Sequence, residues 1–298
     1  MIPPPHIPDS LRSLYPFTPQ TFTTPAGATM SYVDEGKGDR AVLMLHGNPT
    51  WSFYYRELVK ALSARRRCVV PDHIGMGLSQ KPENYPYTLK IRIDDVMALV
   101  DSLSLKQVDL VVHDWGGAIG FGFAQRRPDL IGRITILNTA AFTSNHLPGR
   151  ITLCKMPVLG PAMVRSVNAF AWPTTWMAMS RRALSKDEAS GYLLPYDSWA
   201  NRVAVSAFVQ DIPMGPSHPT WSTLEQVGKG ISQFHDRPTL IVWGGRDFCF
   251  NDYFYEEWLE RMPHAETMYL DDAGHYVLED ARGDAVPRIC EHLLSTKS

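Results

Sequence analysis

From Ala41 onward, short apolar runs alternate with longer stretches in which apolar residues return every three or four positions. That alternation predicts a mostly parallel sheet covered by helices. Strands are expected at 41–45, 68–70, 108–112, 134–138, 239–243 and 266–270. The first three run into His46-Gly47-Asn48-Pro49, Pro71-Asp72 and His113-Asp114, loops rich in reactive groups. Between about Ala141 and Pro219 the rhythm breaks into prolines, tryptophans, methionines and helical segments without a clear buried strand. The expected organisation is therefore an α/β core in two parts, 1–140 and 220–298, with a helical cap at 141–219 and residues 212–219 as its return hinge. Open α/β sheets bind ligands beyond the carboxyl ends of their strands, so these loops should share one crevice beneath the cap.

Composition narrows this picture. With 298 residues, 44% hydrophobic and 20% charged, the chain can build one large core with an insertion. The 29 basic and 31 acidic residues give a net charge of −2, which provides no global field to recruit nucleic acid or an anionic membrane. Arg65-Arg66-Arg67 reads as a solvated turn. The four cysteines are scattered without a CxxC pair, as expected of a reduced, cytoplasmic protein, and Cys249 reads as a small buried hydrophobe. Prolines and polar residues occupy 1–17, where a signal peptide would need an apolar core. No run approaches the roughly 20 apolar residues of a membrane span. The histidines lack metal-ligand spacing and no glycine-rich phosphate loop is present, so neither metal nor cofactor is expected.

The densest chemical signal is Val108 through Val112, then His113-Asp114-Trp115-Gly116-Gly117. A strand, a sharp turn and a helix of small residues form a nucleophile elbow, and the nucleophile's position is held by Asp114. Val112 stands where the motif usually has a small residue. A carboxylate is already ionised at neutral pH and can attack carbon without a base to deprotonate it. Taken alone, Asp114 would read as a helix cap. Its partners downstream change that reading. Asp271-Asp272-Ala273-Gly274-His275 presents an imidazole after a late strand, and Trp243-Gly244-Gly245-Arg246-Asp247 presents an acid between the two, giving the order nucleophile, acid, histidine of the α/β-hydrolase fold. Asp247 is expected to orient His275. Asp271, Asp272 and Glu279 are rivals, read as surface or local turn residues.

Asn48 ends the first long strand and Trp115 follows the nucleophile. Their backbone amides suit an oxyanion, and their side chains offer N–H donors without net charge, which suits an anionic leaving group. Gly75-Met76-Gly77-Leu78-Ser79 looks like a serine elbow but lacks the small residue after Ser79, and reads as a core loop. Tyr192 and Tyr196 are the cap tyrosines that an epoxide hydrolase would need.

On His46-Gly47-Asn48-Pro49, His113-Asp114-Trp115-Gly116-Gly117 and His275, the chain resembles the haloalkane dehalogenase superfamily of α/β hydrolases over nearly its whole length. The resemblance implies Asp114 as nucleophile, His275 as base, Asp247 as acid, and Asn48 with Trp115 as leaving-group donors. Overall it is most similar to the subgroup containing the β-lactone decarboxylases of long-chain olefin biosynthesis, which implies a hydrophobic cis-β-lactone as substrate and leaves room for assembly with other enzymes of such a pathway. The same five residues would serve a dehalogenase. A binding protein that kept the fold without catalysis is the reading from a different class. Met156, Val158, Leu159, Met163, Val164, Phe170, Trp172, Trp176, Met177 and Met179 are expected to supply apolar surface to the cap, part of it for alkyl chains.

Overall fold

The computed structural model describes residues 7–296; the portions of the amino-terminal and core readings that fall on residues 1–6 and 297–298 lie outside it. Eight strands form one sheet: β1 (Gln20–Thr23), β2 (Thr29–Glu35), β3 (Arg40–Leu45), β4 (Arg67–Pro71), β5 (Gln107–Asp114), β6 (Ile131–Thr139), β7 (Thr239–Gly244) and β8 (Glu266–Leu270). Their order is β1-β2-β4-β3-β5-β6-β7-β8, with the β1–β2 and β2–β4 pairs antiparallel and the others parallel. All six expected strands are present. Every residue of β6 is buried, as is all of β3 after Arg40, because helices cover both faces of a parallel sheet and remove the polar alternation. The strands β1 and β2 went unread. They are short, threonine-bearing and polar on one side, and a turn at Thr24–Gly27 joins them at the sheet's edge.

The core helices before the insertion are α1 (Arg56–Leu62), α2 (Leu89–Ser102) and α3 (Trp115–Arg126). Between β6 and β7 lie only helices and loops: α4 (Gly149–Lys155), α5 (Leu159–Ser166), α6 (Ala171–Met177), α7 (Lys186–Leu193), α8 (Val203–Gln210) and α9 (Trp221–Lys229), with short 3₁₀ turns. Then α10 (Asp252–Arg261) joins β7 to β8, and α11 (Val277–Asp280) and α12 (Arg282–Leu294) close the chain.

The start of α3 is wedged against the sheet. A Cβ on Gly116 would collide with the Leu45 carbonyl at the end of β3, so only glycine lets the helix begin there. Val112, the bulky residue at the elbow's small position, fits because Gly120 leaves room beside its side chain. The Gly75–Ser79 stretch is a loop: Ser79 is buried, its hydroxyl donates to the Asp72 carbonyl (2.6 Å) and accepts the Ser31 amide (2.8 Å).

Candidate active site

Asp114 occupies the turn from β5 into α3 with φ 52° and ψ −127°, a backbone state that side-chain-bearing residues seldom adopt and that surrounding structure must hold. Three groups hold it. The Asn48 amide donates to Asp114 Oδ1 (2.7 Å), the Trp115 amide bonds the same carboxylate, and Thr139 Oγ1 at the end of β6 donates to the Asp114 carbonyl. Gly47 lies so close that a Cβ there would overlap the carboxylate. Burial pushes the Asp114 carboxyl up from its ordinary range, opposed by His275 and by the two amides.

His275, on the loop between β8 and α11, is likewise buried. Its Nδ1 bonds Asp247 Oδ2 (2.6 Å), and its Nε2 faces Asp114 Oδ2 across 3.8 Å. Burial disfavours the imidazolium, but Asp247, through charge and hydrogen bond, and Asp114 outweigh it and raise the histidine above its usual value. Asp247 is positioned by its own turn, its Oδ1 accepting the Cys249 amide (2.6 Å). Phe248 and Phe250 contact the imidazole edge-on and face-on, at 5.9 and 5.8 Å between centroids, and keep water from its sides.

Three other histidines support these loops, and sequence reasoning did not single them out. His113 stacks between Tyr54 (4.4 Å) and His275 (4.5 Å), and its Nε2 donates to the His275 carbonyl (3.0 Å). His46 Nε2 accepts the His73 amide, so its Nδ1–H donates to the Gly47 carbonyl (2.8 Å), while His73 Nε2 donates back to the His46 carbonyl (3.0 Å). Burial lowers all three, His46 to about 4, so they are neutral braces. Their only signal was adjacency: His46 directly precedes the Gly47-Asn48 loop, His113 directly precedes Asp114, and His73 follows the Pro71-Asp72 strand end.

Asn48 and Trp115 both face the cavity above Asp114. The Asn48 side-chain amide donates one hydrogen to the Val205 carbonyl of α8 (3.0 Å), leaving its second N–H for a ligand. The Trp115 indole borders the same cavity. Its ring packs on Phe208 (5.6 Å), and the buried Arg92 guanidinium, paired with Asp211 (2.9 Å), lies over both rings.

The cavity encloses about 940 Å³ of empty space, its mouth included. Asp114, Asn48, Trp115 and His275 contribute its polar floor, and its walls are apolar, with Phe142, Leu147, Ile151, Phe170, Val209, Ile212, Leu224 and Phe254 among them. Cys249 is half-buried, packs against the hydrophobic core and also lines this cavity; burial and the charges of Asp247 and Asp114 hold its thiol well above the usual range.

Other expectations are corrected. Of the ten apolar cap residues named from the sequence, Phe170 alone lines the cavity, whereas Met156, Val158, Leu159, Trp172 and Trp176 are exposed on the outside of the insertion. Glu279 is no surface residue. It is buried, pairs with Arg56, Arg182 and Arg282, and accepts the Tyr192 hydroxyl (2.8 Å). Tyr192 is thereby occupied away from the cavity, and the Tyr196 hydroxyl bonds the Thr50 carbonyl (3.4 Å), so neither tyrosine is available to protonate an opening epoxide.

A family model described as alpha/beta hydrolase fold matches residues 40–281. The chain is 44% identical over 294 residues to a cis-3-alkyl-4-alkyloxetan-2-one decarboxylase of Shewanella oneidensis, covering 97% of this chain and 92% of that protein. It is 44% identical over 287 residues to a protein of the same name from Xanthomonas campestris pv. campestris, covering 92% and 95%. Among solved structures, the haloalkane dehalogenase DatA from Agrobacterium tumefaciens C58 superposes with a TM-score of 0.81 at 25% identity, covering 92% of this chain and 96% of that one.

Proposed function

The chain belongs to the alpha/beta hydrolase fold family, and from that premise we propose that it is a cis-β-lactone decarboxylase, converting a 3,4-dialkyl-oxetan-2-one to a cis-alkene and carbon dioxide. The observation that carries the substrate is the 44% identity, over nearly the whole chain, to two proteins named for that reaction. The geometry supports the chemistry. Asp114, hydrogen-bonded by the Asn48 and Trp115 amides and facing the imidazole, attacks as the carboxylate at the ring carbon that bears oxygen. The ring carbon–oxygen bond breaks, and its electron pair leaves on oxygen as a carboxylate. Asn48 Nδ2 and Trp115 Nε1 are the uncharged donors that receive this anion. The bond to the carboxylate carbon then breaks, carbon dioxide departs, the electron pair forms the double bond, and the bond to Asp114 breaks to restore the enzyme. Inversion at the attacked carbon followed by anti elimination delivers a cis-alkene from a cis ring.

No water is consumed in this sequence. His275 accordingly acts as a cation between Asp114 and Asp247, offsetting charge that moves from Asp114 to the substrate and back, with Asp247 fixing its orientation. Residues 141–219 serve as the cap, a reading supported by the cavity walls they supply. No helix among the described residues is long and apolar enough to cross a membrane, and a cytoplasmic setting belongs to the same proposal.

A haloalkane dehalogenase reading draws on the same floor, with halide on the donor pair and water cleaving the Asp114 ester. Product analysis separates the two. Purified protein given a synthetic cis-dialkyl-β-lactone should yield cis-alkene and carbon dioxide, and Asp114→Asn should lower that turnover by roughly 10⁴-fold or more while the circular dichroism spectrum stays unchanged. Rapid bromide release from bromoalkanes with the lactone left intact would sink the decarboxylase reading.

A further inference from the structure

The outside of the helical insertion carries an apolar surface that the reaction does not use. Between α4 and α5 the chain turns through Met156-Pro157-Val158-Leu159, and Val158 is 84% exposed. Its φ of 65° is a left-handed conformation that a β-branched residue rarely adopts, so a bulky apolar side chain is held outward against its own preference. Leu153 on α4 is exposed nearby in sequence, as are Trp172 and Trp176 on α6, which pack edge to face at 4.6 Å. Arg150 reaches from α4 to the Met177 sulfur on α6 (3.1 Å), so the two helices are neighbours.

Charge on this face is one-sided. Although the whole chain is nearly neutral, residues 141–180 contain Arg150, Lys155 and Arg165 and no aspartate or glutamate. Arg165 is paired with Glu83 (2.6 Å), and half-buried Lys155 turns to the Val209 and Gln210 carbonyls at the end of α8, beside Asp211, whereas the exposed Arg150 meets the Met177 sulfur. Exposed aliphatic and tryptophan side chains on an acid-free stretch, with the exposed Arg150 among them, match the boundary of an anionic lipid layer, where indoles and apolar tips enter the headgroup region and a cation meets phosphate.

The same helices line the cavity from the inside. Ile151 of α4 and Thr174 of α6 face it, and the exposed His146, immediately before α4, contributes to its lining. We infer that the Met156–Leu159 turn, with Trp172 and Trp176, docks this protein on an anionic lipid surface and places the cavity mouth beside the acyl layer. The proposed substrate, with two alkyl chains, partitions into such a layer; this purpose rests on the decarboxylase reading, whereas the docking itself does not.

The test is flotation of the full chain with vesicles of phosphatidylcholine, with and without roughly one-third phosphatidylglycerol. Wild type should float with the anionic vesicles, less so as salt rises. The V158D/L159D variant should lose vesicle-bound protein by about tenfold or more, and R150E should weaken the preference for phosphatidylglycerol. Aspartate accepts a left-handed backbone more readily than valine, so V158D/L159D should remain folded and should turn over a short-chain, water-soluble lactone at the wild-type rate. Wild type that stays in solution with every vesicle, or V158D/L159D that floats as well as wild type, overturns the inference. So does a homodimer or a protein complex that V158D/L159D dissociates while vesicles leave the wild type unbound. Because flotation is read without turnover, it can fail or succeed apart from the proposed reaction.

Discussion

At the scale of single residues, the site is governed by two upward shifts with different causes. Burial raises the Asp114 carboxyl against the pull of His275 and two amides, whereas Asp247 and Asp114 raise the His275 imidazole against burial. The sign of the pH dependence follows. On the proposed mechanism, lactone opening needs Asp114 ionised, so activity should fall on the acid side at a higher pH than an ordinary carboxylate would dictate. It also uses His275 protonated, so kcat/KM should decline as pH rises through the raised histidine value. Hydrolysis of an Asp114 ester by water would need neutral His275, and its rate would climb over that same alkaline interval. A pH profile of lactone turnover that only rises toward alkali would contradict the cationic role. Asp114, His275 and Asp247 could be picked out because each sits on a local turn signature at a strand end. The neutral braces His46, His73 and His113 carry no such signature, since what identifies them is a partner distant in sequence or a stacking neighbour.

At the scale of elements, the central parallel strands were legible because burial on both faces writes an uninterrupted apolar run, whereas β1 is short and mostly exposed and β2 mixes buried with half-buried positions. The contact between α7 and the carboxyl-terminal helices was not legible. There Arg56, fully buried on α1, meets Glu279 of α11, while Glu188 of α7 binds Arg182 and Arg282. Each charge is a routine surface residue when read along the chain, and only packing buries Arg56, Glu279 and Glu188 while Arg182 and Arg282 stay partly exposed. Removing one partner from such a cluster leaves an uncompensated buried charge. Glu279→Gln should therefore lower the unfolding free energy by about 3–5 kcal/mol in urea titration; a loss under about 1 kcal/mol would mean that water or the remaining glutamates replace it.

At the scale of the whole molecule, the insertion has two faces, one walling the cavity and one turned to solvent. Ile151 belongs to the inner face. Ile151→Trp should fill cavity space and reduce kcat/KM for long-chain lactones by about tenfold or more, with short-chain substrates within about twofold of wild type. Equal losses for all chain lengths, measured on a homologous substrate series, would show that this wall does not hold the chains.

The parts of this protein determined by sequence alone are those whose signals are local: the alternation of strand and helix, the glycines that allow α3 to start against β3, and the acid, histidine and donor residues placed at strand ends. What only tertiary structure decided is which side of each insertion helix is covered. The helices α4, α5 and α6 are seven or eight residues long and apolar on more than one side, so periodicity cannot say which apolar residues meet the cavity and which meet solvent. Burial is a relation between segments far apart in the chain, and here it sent Phe170 inward while leaving Val158, Trp172 and Trp176 outside.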